Sequence, residues 1–205
     1  MKKSINRVLG ILLAAVMLIA VMPVGVFAAP GVKVNAITLS KTSMTLTVGK
    51  MVLLIATVKP DDAANKAVAW SSSDKAVAAP VLSTGLIVAL SIGSAVITCA
   101  ARDGSGVQAT CKITVVPDTP QSFTVVRASS TSVLVSWKAV LGVTGYEVQR
   151  YSPLLKTFVP VKITTSTSFL NSGLLPGKTY TYRVRAFKIV GTAVYASAFT
   201  AEKTA

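Results

Sequence analysis

Residues 174–187 read LLPGKTYTYRVRAF, and few folds can accommodate such a stretch. A turn, Leu174-Leu175-Pro176-Gly177, leads into strict alternation. Tyr180, Tyr182, Val184 and Ala186 point one way, and Thr181, Arg183, Arg185 and Phe187 the other. Aromatic and β-branched residues at period two make a half-buried strand, apolar face inward and basic face to water. A tyrosine four residues after a proline, at the start of such a strand, has the spacing of a tyrosine corner. Its ring enters a sandwich core while its hydroxyl bonds backbone upstream.

The surrounding residues extend the pattern. Phe123 and Val125 begin a first strand, Val133, Val135 and Trp137 alternate on the next, and Gly145-Tyr146-Glu147-Val148-Gln149-Arg150 makes a third. Shorter strands are expected at 158–162, 168–169 and 193–199. Trp137, Tyr146, Val148, Leu174, Tyr180, Tyr182 and Val184 are the expected core. With Leu174, Pro176 and Tyr180 in an L-x-P-x-x-x-Y pattern, Trp137, and the GYEVQR strand, residues 121–205 resemble the fibronectin type III family. The loop 189–193 has no Arg-Gly-Asp, so the integrin-binding loop of some members does not carry over.

The N-terminus reads as an address. Residues 1–7 are polar and basic, 8–22 are an unbroken apolar run, and Pro23 and Gly25 break it. Val26-Phe27-Ala28 puts small residues where a signal peptidase reads, so residues 1–28 are expected to be a signal peptide cleaved after Ala28, or one residue later. The rival is an uncleaved membrane anchor, since about 15 to 19 apolar residues is near the lower limit of a span. No cysteine follows the leader, which excludes lipid attachment of the lipoprotein kind.

Residues 31–116 form the first expected domain. Two short strands flank Ser40-Lys41, a more continuous apolar run covers 51–58, and further strands surround Trp70 and follow Ser83-Thr84-Gly85, with the last two at 95–101 and 107–115. Short strands bounded by turn residues indicate a second all-β sandwich. The order ITLSKTSMTLTVGK, ATVKPDDAANKAVAWSSSDKAVA, STG and DGSGVQATCKITVV resembles bacterial immunoglobulin-like domains of group 2, with W-S-S-S-D-x-x-V-A as the most specific mark. Pro80 and Ile92 depart from the family pattern. Trp70 reads as a core tryptophan in preference to a sugar-stacking platform. Val116-Pro117-Asp118-Thr119-Pro120 has two prolines in five residues, so 117–120 is expected to be a short, stiff linker.

Cys99 and Cys111 are the only cysteines and lie symmetrically about Ser105 in the turn Asp103-Gly104-Ser105-Gly106. If the hairpin folds about that point they face each other, and an exported chain would bridge them. Buried reduced thiols are the alternative. A redox-active pair fits least, since the spacing is not C-x-x-C.

Lys plus Arg number 21 against 7 Asp plus Glu, a net +14. The balance is uneven: residues 29–117 have eight basic and four acidic groups, residues 118–205 ten and three. Such charge attracts polyanions. Arg183, Arg185 and Lys188, with Arg150 on a neighbouring strand, are a candidate polyanion-binding patch; the alternative is a solvated sheet face that deters edge pairing.

Catalytic chemistry finds little here. Without histidine there is no Ser-His-Asp or Cys-His pair and no histidine metal site. None of the seven acidic residues suggests a glycosidase pair, and Asp61-Asp62 supports a calcium site only weakly. No cofactor is implied, and no aromatic-basic motif points to nucleic acid. The reading is an exported, non-catalytic chain of two tandem immunoglobulin-like β-sandwiches. Its resemblances imply adhesion, spacing or protein–carbohydrate contact at the cell surface, with wall polymer, polysaccharide or extracellular protein as partner. Its membrane contact would end with signal-peptide cleavage. The alternative is the accessory portion of a secreted polysaccharide-degrading enzyme.

Overall fold

The computed structural model describes residues 31–205; the expected signal peptide lies outside the described residues. Among the described residues every regular element is a strand.

The hairpin of β8 (Gly93–Ala101) and β9 (Gln108–Val116) forms the middle of the first sandwich. β5 (Val68–Ser72) pairs the free edge of β8, and β2 (Ser43–Thr47) runs parallel to β9, completing a four-stranded sheet. Alternation decides its inner face: Ala95, Ile97 and Cys99 on β8 and Cys111, Ile113 and Val115 on β9 are buried, while Ser94, Val96 and Thr98 point away. A three-stranded sheet, β3 (Met51–Leu53), β7 (Leu86–Ala89) and β6 (Ala78–Val81), adds Ile87, Ala78 and Ala89 to the same core. β1 (Ala36–Leu39) pairs β4 (Ala56–Lys59) separately.

The apolar run 51–58 is thus two strands in two sheets. The switch falls at Leu54, which is buried and donates its N–H to Gly85 O at 2.9 Å, while Ser40 takes both polar groups of Ile55. Residues 51–56 hold no polar side chain, so nothing in the letters marks the change of face at Leu54. Gly85 closes the corner: with φ at +78°, a Cβ there would sit 2.4 Å from Leu54 O and 3.0 Å from the Trp70 ring. Pro80 lies within β6, an edge strand, where its missing N–H is tolerated.

In the second sandwich β10 (Thr124–Ser129), β11 (Ser132–Ser136) and β14 (Ser168–Asn171) form one sheet. The other runs in the order β13 (Thr157–Thr164), β12 (Gly145–Ser152), β15 (Thr181–Val190) and β16 (Ala193–Ala196), with β17 (Lys203–Thr204) also on β15. Tyr182, Val184 and Ala186 of β15 are fully buried and meet Val133, Val135 and Val148 in one core. Trp137 packs edge-on against Tyr146, ring centroids 5.3 Å apart. Among the described residues no strand pairing crosses 117–123, where Pro117 and Pro120 are buried.

Candidate ligand-contacting surfaces

β12 and β15 are antiparallel, and their register places Gln149 opposite Arg183, Glu147 opposite Arg185, and Arg150 opposite Tyr182. The outward face is therefore a stitched ladder. Arg185 donates to Glu147 Oε2 from Nη2 at 2.6 Å and from Nε at 2.7 Å. Gln149 donates its Nε2 to Glu147 Oε1 at 2.6 Å, and its Oε1 accepts from Arg183 Nε and Nη2 at 2.9 and 2.8 Å. The Arg183 guanidinium carbon lies 4.1 Å from the ring centres of both Phe158 and Phe199, and that of Arg185 4.6 Å from Phe199. Charge-assisted hydrogen bonds and aromatic faces engage these cations within the domain.

The four residues proposed as a polyanion patch thus do not form one surface. Arg183 and Arg185 face outward and are engaged. Arg150 has the parity of the core residues Tyr146 and Val148, and its guanidinium lies 5.4 Å from the centre of the Tyr180 ring. Lys188 shares the parity of Tyr182, Val184 and Ala186 and is half-buried near the opposite end of β15, across from Tyr195. Glu147, Gln149, Phe158 and Phe199 escaped the sequence reading. A signal existed: E-x-Q on one strand and R-x-R on its neighbour have the same two-residue spacing.

Tyrosine hydroxyls fix the loops around this sheet. Tyr180 OH accepts the Leu175 N–H at 2.9 Å, the bond that makes the corner, and Tyr146 OH accepts the Val140 N–H at 2.8 Å. Tyr182 OH accepts from Asn171 Nδ2 at 2.8 Å, and burial raises its pKa. Leu174 and Trp137 are each 5% exposed, and Tyr180 is half-buried against the same core.

The cysteine bridge is corrected. Both thiols are free and buried. Across the hairpin Cys99 faces Ala109 and Cys111 faces Ile97, so the axis falls at Gly104, one residue before Ser105. That offset makes the cysteines diagonal neighbours, a separation of about 7–8 Å that a disulfide does not span. The turn's own bonds hold the axis there. Ser105 N–H donates to Asp103 Oδ1 at 2.9 Å, and Gly104 and Gly106 both have positive φ. Burial pushes both thiols above their usual pKa.

Asp103 also ties the N-terminal segment to the hairpin, its Oδ2 accepting the Val34 N–H at 2.6 Å. The Ser105 side chain, then the Val34 and Ser105 backbone N–H groups, hold its pKa at about 2. Trp70 is half-buried on β5, opposite Cys99, and packs against the core of the first sandwich. Asp61 pairs with Lys59 at 2.8 Å, which lowers its pKa. Among the described residues no cluster of three His, Cys, Asp or Glu could hold a metal ion.

Comparison with known proteins agrees with this architecture. Residues 33–113 match the family "Bacterial Ig-like domain (group 2)", and residues 118–201 match "Fibronectin type III domain". An uncharacterised protein of Clostridium acetobutylicum is 46% identical over 81 residues, 40% of this chain but 8% of that protein. An alpha-L-arabinofuranosidase of Bifidobacterium longum is 45% identical over 69 residues, 34% of this chain and 6% of the enzyme. The chain thus spans only a small part of these relatives' length. A two-domain fibronectin type III segment of chicken tenascin is 18% identical and covers 85% of this chain and 99% of its own, with a TM-score of 0.54; it is a likeness of fold. The described chain is thus a group 2 bacterial Ig-like domain, residues 33–113, followed by a fibronectin type III domain, residues 118–201.

Proposed function

We propose that this is a non-catalytic module of an exported protein, acting at the cell surface in adhesion, spacing or contact with proteins and carbohydrates. Both domains belong to families of non-catalytic modules. The observation that carries the reading is the size of the matches: the relatives hold this kind of domain as 8% and 6% of much longer chains, as expected of a part that positions others. The outward arginines fit it too, since Glu147, Gln149 and two phenylalanine rings engage them within the sheet.

A pull-down on purified Gram-positive cell wall, in low and then moderate salt, tests the contact role. Salt-sensitive retention that requires residues 121–205 supports it. The double variant Arg183→Ser, Arg185→Ser should be retained nearly as well as the parent. Absence of retention at either salt leaves a spacer or an accessory module.

A second reading has one specific observation behind it, the similarity of residues within this chain to part of an arabinofuranosidase. It makes the chain an accessory portion of a secreted polysaccharide-degrading enzyme. Retention on soluble or plant-type polysaccharide in place of bacterial wall would favour it.

A further inference from the structure

We propose that the groove at the corner end of the second sandwich binds an acidic saccharide, with Arg150 taking the carboxylate of the sugar. The inference rests on the contact role proposed above and names its ligand. The groove has a volume of about 530 Å³ and is lined in part by Arg150, Ser152, Val159, Lys178, Thr179 and Tyr180. Clefts that enclose small ligands measure roughly 300–1,000 Å³.

Arg150 differs from the ladder arginines in what holds it. The two ion pairs among the described residues are Lys59–Asp61 and Arg185–Glu147. Arg150 is half-buried over the Tyr180 ring and within hydrogen-bonding reach of the Tyr182 hydroxyl, a neutral partner that also accepts from Asn171 Nδ2. No Asp or Glu lines the groove, and Lys178 adds a second cation to it. A guanidinium seated on an aromatic face, free of any carboxylate, presents its planar fork to a planar anion.

The walls select the kind of molecule that bears the anion. Several backbone groups along the corner are already engaged. Leu175 N–H donates to Tyr180 OH, Lys178 C=O accepts from Arg127 at 2.6 Å, and Tyr180 exchanges both backbone bonds with Ala205 at 2.9 and 3.2 Å. A peptide adding itself as a strand would find the Lys178 and Tyr180 carbonyls and the Tyr180 N–H of that wall already taken. Side-chain hydroxyls of Ser152 and Thr179 remain, beside the apolar surface of Val159 and Tyr180. These suit a ring with a hydroxyl rim and a C–H face. Because the same bonds fix the corner before any ligand arrives, little ordering accompanies binding.

The test uses residues 31–205, which hold all the described strands and cores, titrated by NMR with digalacturonate, an uncharged digalactoside and triglutamate. Digalacturonate should give saturable shifts at Arg150, Lys178 and Thr179, with the other two probes binding about tenfold more weakly or worse. Arg150→Gln should lose about tenfold in affinity. Lys178→Gln, altering an exposed side chain, should lose a smaller factor with the fold intact. Equal binding of the uncharged sugar, tighter binding of triglutamate, or full affinity in both variants overturns the proposal. If digalacturonate fails to bind while cell wall still retains the chain, the groove assignment falls and the contact role stands.

Discussion

The two sandwiches reach the same architecture by different chemistry. The first is filled by aliphatic side chains and two thiols, with Ile87, Ile97, Ile113 and Val115 fully buried at its centre. The second is built on Trp137, Tyr146, Tyr180 and Tyr182, whose three hydroxyls each take a hydrogen bond at the edge of the core. In the first, the interior only fills space, and polar clamps such as Asp103 sit outside it. In the second, the core residues themselves reach out and fix loops. Shape complementarity should therefore dominate what the core contributes to stability in one domain, while the core of the other should also respond to the loss of single oxygen atoms.

The largest expected effect tests the aliphatic side. Ile97→Ala removes a fully buried side chain from a packed core and should cost about 2–5 kcal/mol, measured by urea unfolding of the described segment. Tyr146→Phe preserves the ring but leaves the part-buried Val140 N–H unpaired, for an expected loss of about 1–3 kcal/mol. A larger loss there than for Ile97→Ala would reverse the ranking of the two cores. Tyr180→Phe removes a bond to the exposed Leu175 N–H, which water can replace, so about 0.5–1.5 kcal/mol is expected.

The smallest effect is one of pH. The Asp103 carboxyl is held at about 2, below its ordinary value of 3.8. A lowered pKa contributes stability above the ordinary value, and that contribution is lost as pH falls toward 2. Denaturation curves at pH 5 and pH 2.5 should show less acid sensitivity in Asp103→Asn than in the parent. Equal sensitivity would assign the acid response to other groups.

Periodicity made much of this legible in the sequence. The alternation on β15, the corner at Tyr180 and the apolar positions of β8 and β9 follow from side chains alone, because a period of two assigns each residue to a face. Register was not legible. Symmetry about Ser105 is a property of the letters, whereas the axis at Gly104 comes from hydrogen bonds inside the turn, and a one-residue difference there moves every cross-strand partner by two. For the same reason the basic face suggested a patch: the arginines were visible, but Glu147 and Gln149 became their partners only through the pairing of β12 with β15. Arg150 was grouped with them by charge, although its place in the strand sets it on the other face.

The separated thiols have a consequence for how such a chain matures. Its cores close without a covalent cross-link, so the finished fold needs no oxidant and no isomerase to sort sulfurs. The protein made in a reducing cytosol and the protein made outside the cell should be the same object, with the same melting temperature with or without dithiothreitol. Thiol reagents should reach both sulfurs only after unfolding. Folding on either side of a membrane should therefore give this sequence the same final fold.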